Sequence, residues 1–303
     1  MSIRPRVGNV AFIIATKDRP RELFRLLQSL ADQTFCPAQV IVIDGGTNTS
    51  FDPTGRFEKL SIDYYLCHPP SAARQRNMGV KLVRPEIEFV GFLDDDVVLV
   101  PDALEAVMKY WEQAPADVGG AALNMKNHPP LGMARLKHSV LAERWGIYTL
   151  RRGAVLLSGF QTAIGFVEED LYVDWLPTGA SIWRRRFLEA GGFDEWFAGY
   201  SYLEDLDFSY RAGKICKLAV IHSAHYLHIP SSGGRGNHFV FGRREVLARI
   251  YFVKKNEDLS VFQCYRALFL RMAISVFIAL FRKNPGFLMR AFGNMVGMLQ
   301  TYL

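Results

Sequence analysis

The sequence predicts an α/β fold: a mostly parallel central sheet flanked by helices, with a C-terminal helical extension. Strand and helix signals alternate over about the first 120 residues, the pattern of parallel strands joined by helical crossovers. The strand signals are short unbroken apolar runs, as expected where both faces of a sheet are covered. Beyond Asp258 the chain is strongly apolar and carries no acidic residue. Half of the 303 residues are hydrophobic and 22% are charged, which supplies a core and excludes a disordered chain. No repeat of solenoid or propeller period is present.

Val10–Thr16 has the length of a buried strand. Asp18 is placed to cap the helix that follows, with Pro20 and Glu22 in its first turn and Leu23, Leu26, Leu27 and Leu30 at helical spacing. Val40–Asp44 is a second strand, closed by Gly45-Gly46, and Ile62–Leu66 is a third. Ser71 would cap a helix over Ala72–Val83. Phe89–Leu93 is a strand that runs into Asp94-Asp95-Asp96. Pro101 opens a helix with Leu104, Val107, Met108 and Trp111 on one face, and Val118–Leu123 resumes strand character. Residues 124–153, with His128, Pro129, Pro130 and Gly132, read as an excursion from the sheet. Val173–Trp183 returns to it, followed by helices over Arg184–Ala190 and Glu204–Ala212. Strands at Ile215–Ile221 and His225–Ile229, a glycine-rich loop at Ser231–Gly236 and a helix over Arg243–Asn256 complete the body. Residues 1–256 thus form one body with halves at about 1–123 and 124–256, and residues 257–303 form a tail.

The charge is local. The chain carries +6, but Arg266, Arg271, Arg282, Lys283 and Arg290 of the tail leave residues 1–258 at only +1. This argues against a nucleic-acid-binding face on the body and makes an anionic membrane surface the tail's partner. Met272–Phe281 and Ala291–Leu303, the longest uncharged runs, fall short of the ~20 apolar residues of a spanning helix. The tail therefore reads as two helices lying on a bilayer, joined near Asn284-Pro285-Gly286. A packed helical hairpin or an oligomer interface is the alternative. Cys36, Cys67, Cys216 and Cys264 lack C-x-x-C spacing, which suits a reducing compartment. Val10–Ala15 is too short for a leader and runs at once into Lys17, Asp18 and Arg19. The expected location is cytoplasmic, peripheral at the inner face of the membrane.

In an open parallel sheet, ligands bind beyond the carboxyl ends of the strands. Thr16 and Asp18 follow the first strand, Asp44 ends the second, and Asp94-Asp95-Asp96 follow a later one. One strand ending in Asp is ordinary turn chemistry, but several on one rim repel each other unless a cation joins them. Mg²⁺ or Mn²⁺ meets that need, held by one or two carboxylates and substrate phosphates. A capped turn before the Pro101 helix is the plainer reading of Asp94–Asp96.

The ordered motifs resemble those of the family 2 glycosyltransferases, which share the GT-A fold. Phe12-Ile13-Ile14-Ala15-Thr16-Lys17-Asp18-Arg19-Pro20 is similar to the family's first strand and nucleotide loop. Val42-Ile43-Asp44-Gly45-Gly46-Thr47 is similar to its V-D-D-G-S turn, with Gly45 in place of the second acid. Ala72-Ala73-Arg74-Gln75-Arg76-Asn77-Met78-Gly79 is similar to its A-x-x-R-N-x-G segment with one residue inserted, and Asp94-Asp95-Asp96 to its D-x-D. Gly179-Ala180-Ser181, Gly191-Gly192-Phe193-Asp194-Glu195 and Glu204-Asp205-Leu206-Asp207 resemble its acceptor-side half, in order.

The resemblance implies a sugar transfer from a nucleotide-diphosphate donor to a glycan or lipid-linked acceptor. Thr16, Asp18, Asp44 and Asp95 would contact the nucleotide, with Arg74 helping to hold it and Asp94 near the ribose. Asp96 would bind the Mg²⁺ or Mn²⁺ that bridges the diphosphate, and His228 would complete that site. Asp205 is the candidate base for the acceptor hydroxyl, and Glu204 would contact the acceptor or orient the base. One base and no enzyme nucleophile imply inversion of the anomeric centre. Glu204, Asp205 and Asp207 also suit a helix N-terminus through its dipole alone. Arg235, in the glycine-rich loop, would donate to the diphosphate. Trp196 offers a stacking face for the acceptor, though any one aromatic here is equally placed as core. Cell-surface polysaccharide assembly is the process the analogy suggests. Two other classes stand beside this one. A glycoside hydrolase using Asp96 and Asp205 as its carboxylate pair would ignore chelators. A non-catalytic membrane-associated sugar-nucleotide or glycan-binding module would ignore Asp205→Asn.

Overall fold

A computed structural model describes residues 6–47, 52–129, 140–188, 191–197, 202–230, 237–282 and 284–302. The chain divides into two compact units, residues 1–129 with 165–231, and residues 130–164 with 232–303.

The first unit holds all the described strands: β1 (Arg6–Thr16), β2 (Phe35–Asp44), β3 (Ile62–Leu66), β4 (Phe89–Asp94), β5 (Val97–Leu99), β6 (Val118–Met125), β7 (Leu171–Val173), β8 (Ala180–Arg184) and β9 (Lys217–His228). They form one sheet in the order β3-β2-β1-β4-β8-β6-β9-β5, with β7 also pairing to β9. The β3-β2-β1-β4 half is wholly parallel. Beyond β4, β8 runs antiparallel to both its neighbours, and β6 and β9 pair in parallel. The helices of this unit are α1 (Pro20–Ala31), α2 (Ala72–Leu82), α3 (Ala103–Gln113), α5 (Arg185–Leu188) and α6 (Glu204–Gly213). Between α3 and α5 in sequence, α4 (Val140–Arg144) belongs to the second unit.

The core follows the period of each element. In β1, Phe12 and Ile14 join the layer that holds Leu23, Leu26, Leu27 and Leu30 of α1 with Leu104, Val107 and Trp111 of α3. Each such side chain contributes roughly 1.5–3 kcal/mol on burial. Ile13 points to the other face, as strand alternation requires. There it meets α2 at Gly79, where an added Cβ would collide with the Ile13 side chain. Gly79→Ala should therefore cost about 1–3 kcal/mol by overpacking, read as a lower urea midpoint with an unchanged slope.

Several local expectations are corrected. Asp18 does not cap α1: the residue at that position is Arg19, with no side-chain cap bond, while Asp18 itself adopts a left-handed φ of 53° and accepts from Thr47 N at 3.2 Å. Ser71 begins α2 without a side-chain cap bond. Val173–Trp183 is not one strand but β7 and β8, and the two short strands read after residue 214 are the single β9. The loop at Ser231–Gly236, and with it Arg235, lies outside the described residues.

The second unit contains α4, α7 (His238–Lys255), α8 (Val261–Arg282) and α9 (Pro285–Tyr302). Asn237 caps α7 by accepting from Phe239 N, and α9 crosses α7 where Gly242 faces the Arg290 backbone. The tail is thus two helices as expected, but α8 corrects the length argument. Val261–Phe281 is long and apolar enough to cross a membrane, with a mean hydropathy of 1.8. Two of the tail arginines are drawn to one buried acid. Arg290 Nη2 and Nε reach Glu245 of α7 at 2.8 and 3.0 Å, and Arg271 Nε stands 3.7 Å from the same carboxylate. Glu245 is buried, yet these arginines outweigh burial and hold its carboxyl below the usual glutamate range.

Candidate active site

Parallel pairing puts the strand ends on one rim. Thr16 lies in register with Asp44 of β2, and Ala15 with Asp94 of β4, so Asp44 and Asp94 flank the end of β1. Gln75 of α2 ties the first two ends together by donating to Thr16 O (2.8 Å) and Ile43 O (2.7 Å). Asp44 is fixed by Gly46 N at 2.7 Å and by the Tyr64 hydroxyl at 2.8 Å. At Gly45, where the family pattern has an acid, a Cβ would stand 2.6 Å from Pro70 Cβ. The departure from V-D-D-G-S therefore has a steric reason.

The three acids after β4 have three different surroundings. Asp95 is buried, accepting from Thr16 Oγ1 at 2.8 Å and Arg19 Nη1 at 2.9 Å. Burial pushes its carboxyl up to about 6 against the pull of those donors. It braces the turn from within. Asp96 stands 3.3 Å from His228 Nε2, because β5 pairs antiparallel with β9 and sets Val97 opposite His228. Burial would raise the Asp96 carboxyl, but His228 and Arg19 hold it below the ordinary aspartate range.

Asp94 faces the acceptor-side half. Its backbone N–H donates to Gly179 O at 2.9 Å, and its carboxylate accepts from Arg76 Nη2 at 2.9 Å. The other arm of the same guanidinium reaches Glu204 Oε1 at 3.0 Å. Arg76 is buried beneath these two acids, with Phe193 5.4 Å below the guanidinium carbon. One side chain therefore joins the D-x-D turn to the start of α6. Leu203, immediately before that helix, holds a left-handed φ of 72°. A bulky residue there is strained, and such strain gathers where surrounding structure fixes a functional geometry. Burial pushes Glu204 up against the pull of Arg76. Asp205, half-buried, is pushed up to about 7 by burial and then by the Glu204 charge. Its Oδ1 accepts from Leu206 N at 2.8 Å.

Of the anticipated residues, Thr16, Asp44, Asp94, Asp95, Asp96, His228, Glu204 and Asp205 are joined by this run of contacts and chain neighbours. Arg74 lies apart, donating to Glu195 at 3.2 Å on the surface. Trp196 is exposed and packs edge-on against Phe197. Two residues carry more of the site than their spacing had suggested. Arg76 is the bridging cation, and Asn77 exchanges two hydrogen bonds of 2.8 Å with the Phe193 backbone, fixing the Gly-Gly-Phe-Asp segment. The signal was present: Arg76 directly precedes Asn77, as the R-N pair of the motif demands.

Asp96 and His228 present an ionised oxygen and an imidazole side by side. That donor set fits a divalent cation whose remaining positions come from phosphate oxygens and water. Among the described residues no three His, Cys, Asp or Glu groups cluster as a complete cage.

Comparison with known proteins bears on the fold and the family. The chain is similar to the solved S. aureus TarS 1–349 in complex with UDP-GlcNAc, at 16% identity and a TM-score of 0.56, covering 91% of this chain and 74% of that one. It is similar to the mannosyltransferase PcManGT of Pyrobaculum calidifontis in complex with GDP-Man and Mn²⁺, at 14% identity and a TM-score of 0.55, covering 97% and 88%. At these identities the likeness is one of fold, the GT-A fold. No curated protein matches the chain. The model of Glycosyl transferase family 2 matches residues 11–166, just over half of the chain. The protein belongs to glycosyltransferase family 2, and it is a glycosyltransferase.

Proposed function

We propose that the protein transfers a sugar from a nucleotide-diphosphate donor to a hydroxyl of a glycan or lipid-linked acceptor, with inversion at the anomeric carbon. The observation that carries this reading is the Arg76 bridge between Asp94 and Glu204, because it sets a base of suitable proton affinity beside the D-x-D rim. Asp44 and the Thr16–Asp18 turn would receive the nucleoside, and Asp94 the donor ribose. Asp96 and His228 would hold Mg²⁺ or Mn²⁺, which when bound neutralises charge on the leaving diphosphate. Asp205 takes the proton of the acceptor hydroxyl as its oxygen attacks. Its elevated proton affinity suits that task near neutral pH. Glu204, held by Arg76, orients the base and accepts from the incoming acceptor. Trp196 would offer a stacking face to the acceptor, and Arg74 and Arg235 would supply charge around the nucleotide and diphosphate.

The C-terminal helices would hold the enzyme at the cytoplasmic face of a membrane, where a lipid-linked acceptor for cell-surface polysaccharide is anchored. A panel of UDP-, GDP- and dTDP-sugars, assayed for hydrolysis and transfer with Mn²⁺ and with EDTA, tests the reading. One donor should be consumed, and only with the cation. Asp96→Ala should weaken Mn²⁺ binding and lower turnover. Consumption undiminished by EDTA would remove the cation from the proposal, and no turnover with any donor would remove the activity.

A further inference from the structure

The tail's cations and its apolar surface have separate duties in this fold. Residues 130–164 and 232–303 carry sixteen Lys or Arg against four Asp or Glu, a net +12, which leaves −6 on the rest of the +6 chain. Arg271 and Arg290 do not face outward, since both are drawn to the buried carboxylate of Glu245. Among the described residues, most of the large side chains that the two tail helices expose are apolar. Phe269, Phe277 and Leu280 form an exposed stripe on α8, and Leu288, Phe292 and Leu299 form another on α9. Both recur at helical spacing. The Phe277 ring also packs on that of Phe281, 73% exposed, so the stripe continues to the helix end.

We infer that these stripes insert into the outer few ångströms of an anionic bilayer, with α8 lying in the membrane plane rather than crossing it. This rests on the membrane attachment proposed above. The α8 helix has the length and hydropathy of a span, but its opposite face is already taken. Cys264, Leu268, Ser275 and Ala279 are buried, and α8 packs on α7 and α9. Near its midpoint Arg271 is paired to Glu245. A crossing orientation would carry that ion-paired cluster and the charged α7 into hydrocarbon, where unsolvated charge is strongly disfavoured. An in-plane helix keeps the packed face and its ion pair on the aqueous side and buries only the stripe. Charge selects the occupant. A second copy would set one +12 unit against another, whereas anionic headgroups complement it. The cations draw the protein to the surface, and the phenylalanines then hold it there.

The test adds the purified full chain to preformed vesicles of phosphatidylcholine, with and without phosphatidylglycerol, and follows flotation as salt rises. Anionic vesicles should bind more, and most of the bound protein should remain at about 1 M salt, where the Debye length is about 3 Å. Phe269→Ser, Phe277→Ser and Phe292→Ser should each lower the partition coefficient about tenfold. The melting temperatures of Phe269→Ser and Phe277→Ser should stay near that of the parent, because those rings are more than half exposed, whereas Phe292 also packs on Phe239. Complete release by salt, with no effect of the serine variants, would overturn insertion and leave a purely electrostatic attachment standing. Binding only when the chain is synthesised into the bilayer would overturn the in-plane orientation. Absence of flotation under every condition would remove the attachment itself. Concentration-dependent dimers without lipid, abolished by the same variants, would assign the stripes to a second copy.

Discussion

Asp205→Asn should lower kcat by about a hundred- to ten-thousand-fold, the usual contribution of a positioned base. The amide keeps the size and the hydrogen bond from Leu206 N, so the fold and donor binding should be retained. The wild-type rate should depend on pH in a matching way. Asp205 is raised to about 7 by burial and by the Glu204 charge, so its proton is still bound in mild acid. A base must be ionised to act. The rate should therefore climb as pH rises through about 7 and level off above it, falling about tenfold per unit on the acid side. Initial rates across that interval, with donor saturating, check both statements. A variant that keeps the wild-type rate, or one that keeps the same acid limb, would remove Asp205 from the base's role.

The second large effect belongs to Arg76. Replacing it by methionine keeps most of the volume but leaves buried Glu204 without its cation. Breaking a buried pair costs about 3–5 kcal/mol, and part-exposed Asp94, which water can solvate, places this loss near the low end. Equilibrium urea unfolding reads it. Activity should report a second consequence. Arg76 draws the Asp205 proton affinity downward, so its removal should shift the rate limb to higher pH. Arg76→Lys separates the two effects. An ammonium keeps the charge, and with it the limb near 7, but a point donor cannot span two acids as the guanidinium fork does. Turnover should fall while the pH limb stays. A residue that merely filled space would lower the melting temperature of both variants without moving either kinetic readout.

The parallel half of the sheet was legible because its strands are written as unbroken apolar runs. Val10–Ile14, Val40–Ile43 and Phe89–Leu93 are buried, and polar Thr16, Asp44 and Asp94 follow them onto the rim. The extension of β1 back to Arg6 was not, because Gly8 and Asn9 carry no apolar signal: Arg6–Gly8 pair with Phe35–Pro37, and Asn9 lies where the register shifts before Ala11. The apolar run of β5 is too short to stand out between Asp96 and Pro101, though it is the strand that sets Asp96 beside His228. Strand β9 read as two pieces because exposed His222 and Ser223 interrupt it where its register against β6 shifts. In the site, the choice between Arg74 and Arg76 was a question of helical phase. Two residues apart on a helix point about 200° apart, so one faces the sheet and the other solvent. Composition cannot choose between them, but the neighbouring Asn77 and Gly79, both turned inward, do. The inward turn of Arg271 and Arg290 was not legible, because Glu245, the carboxylate that draws them, belongs to a helix distant from both in sequence.

The shared guanidinium also constrains how this protein can change over generations. Positions 76, 94 and 204 form one mutational unit, since losing the arginine strands two acids and losing either acid unbalances the arginine. Substitutions tolerated at one should appear together with changes at the other two, so relatives lacking the cation should have replaced Glu204 as well, rather than drifting through a chain with an uncompensated interior charge.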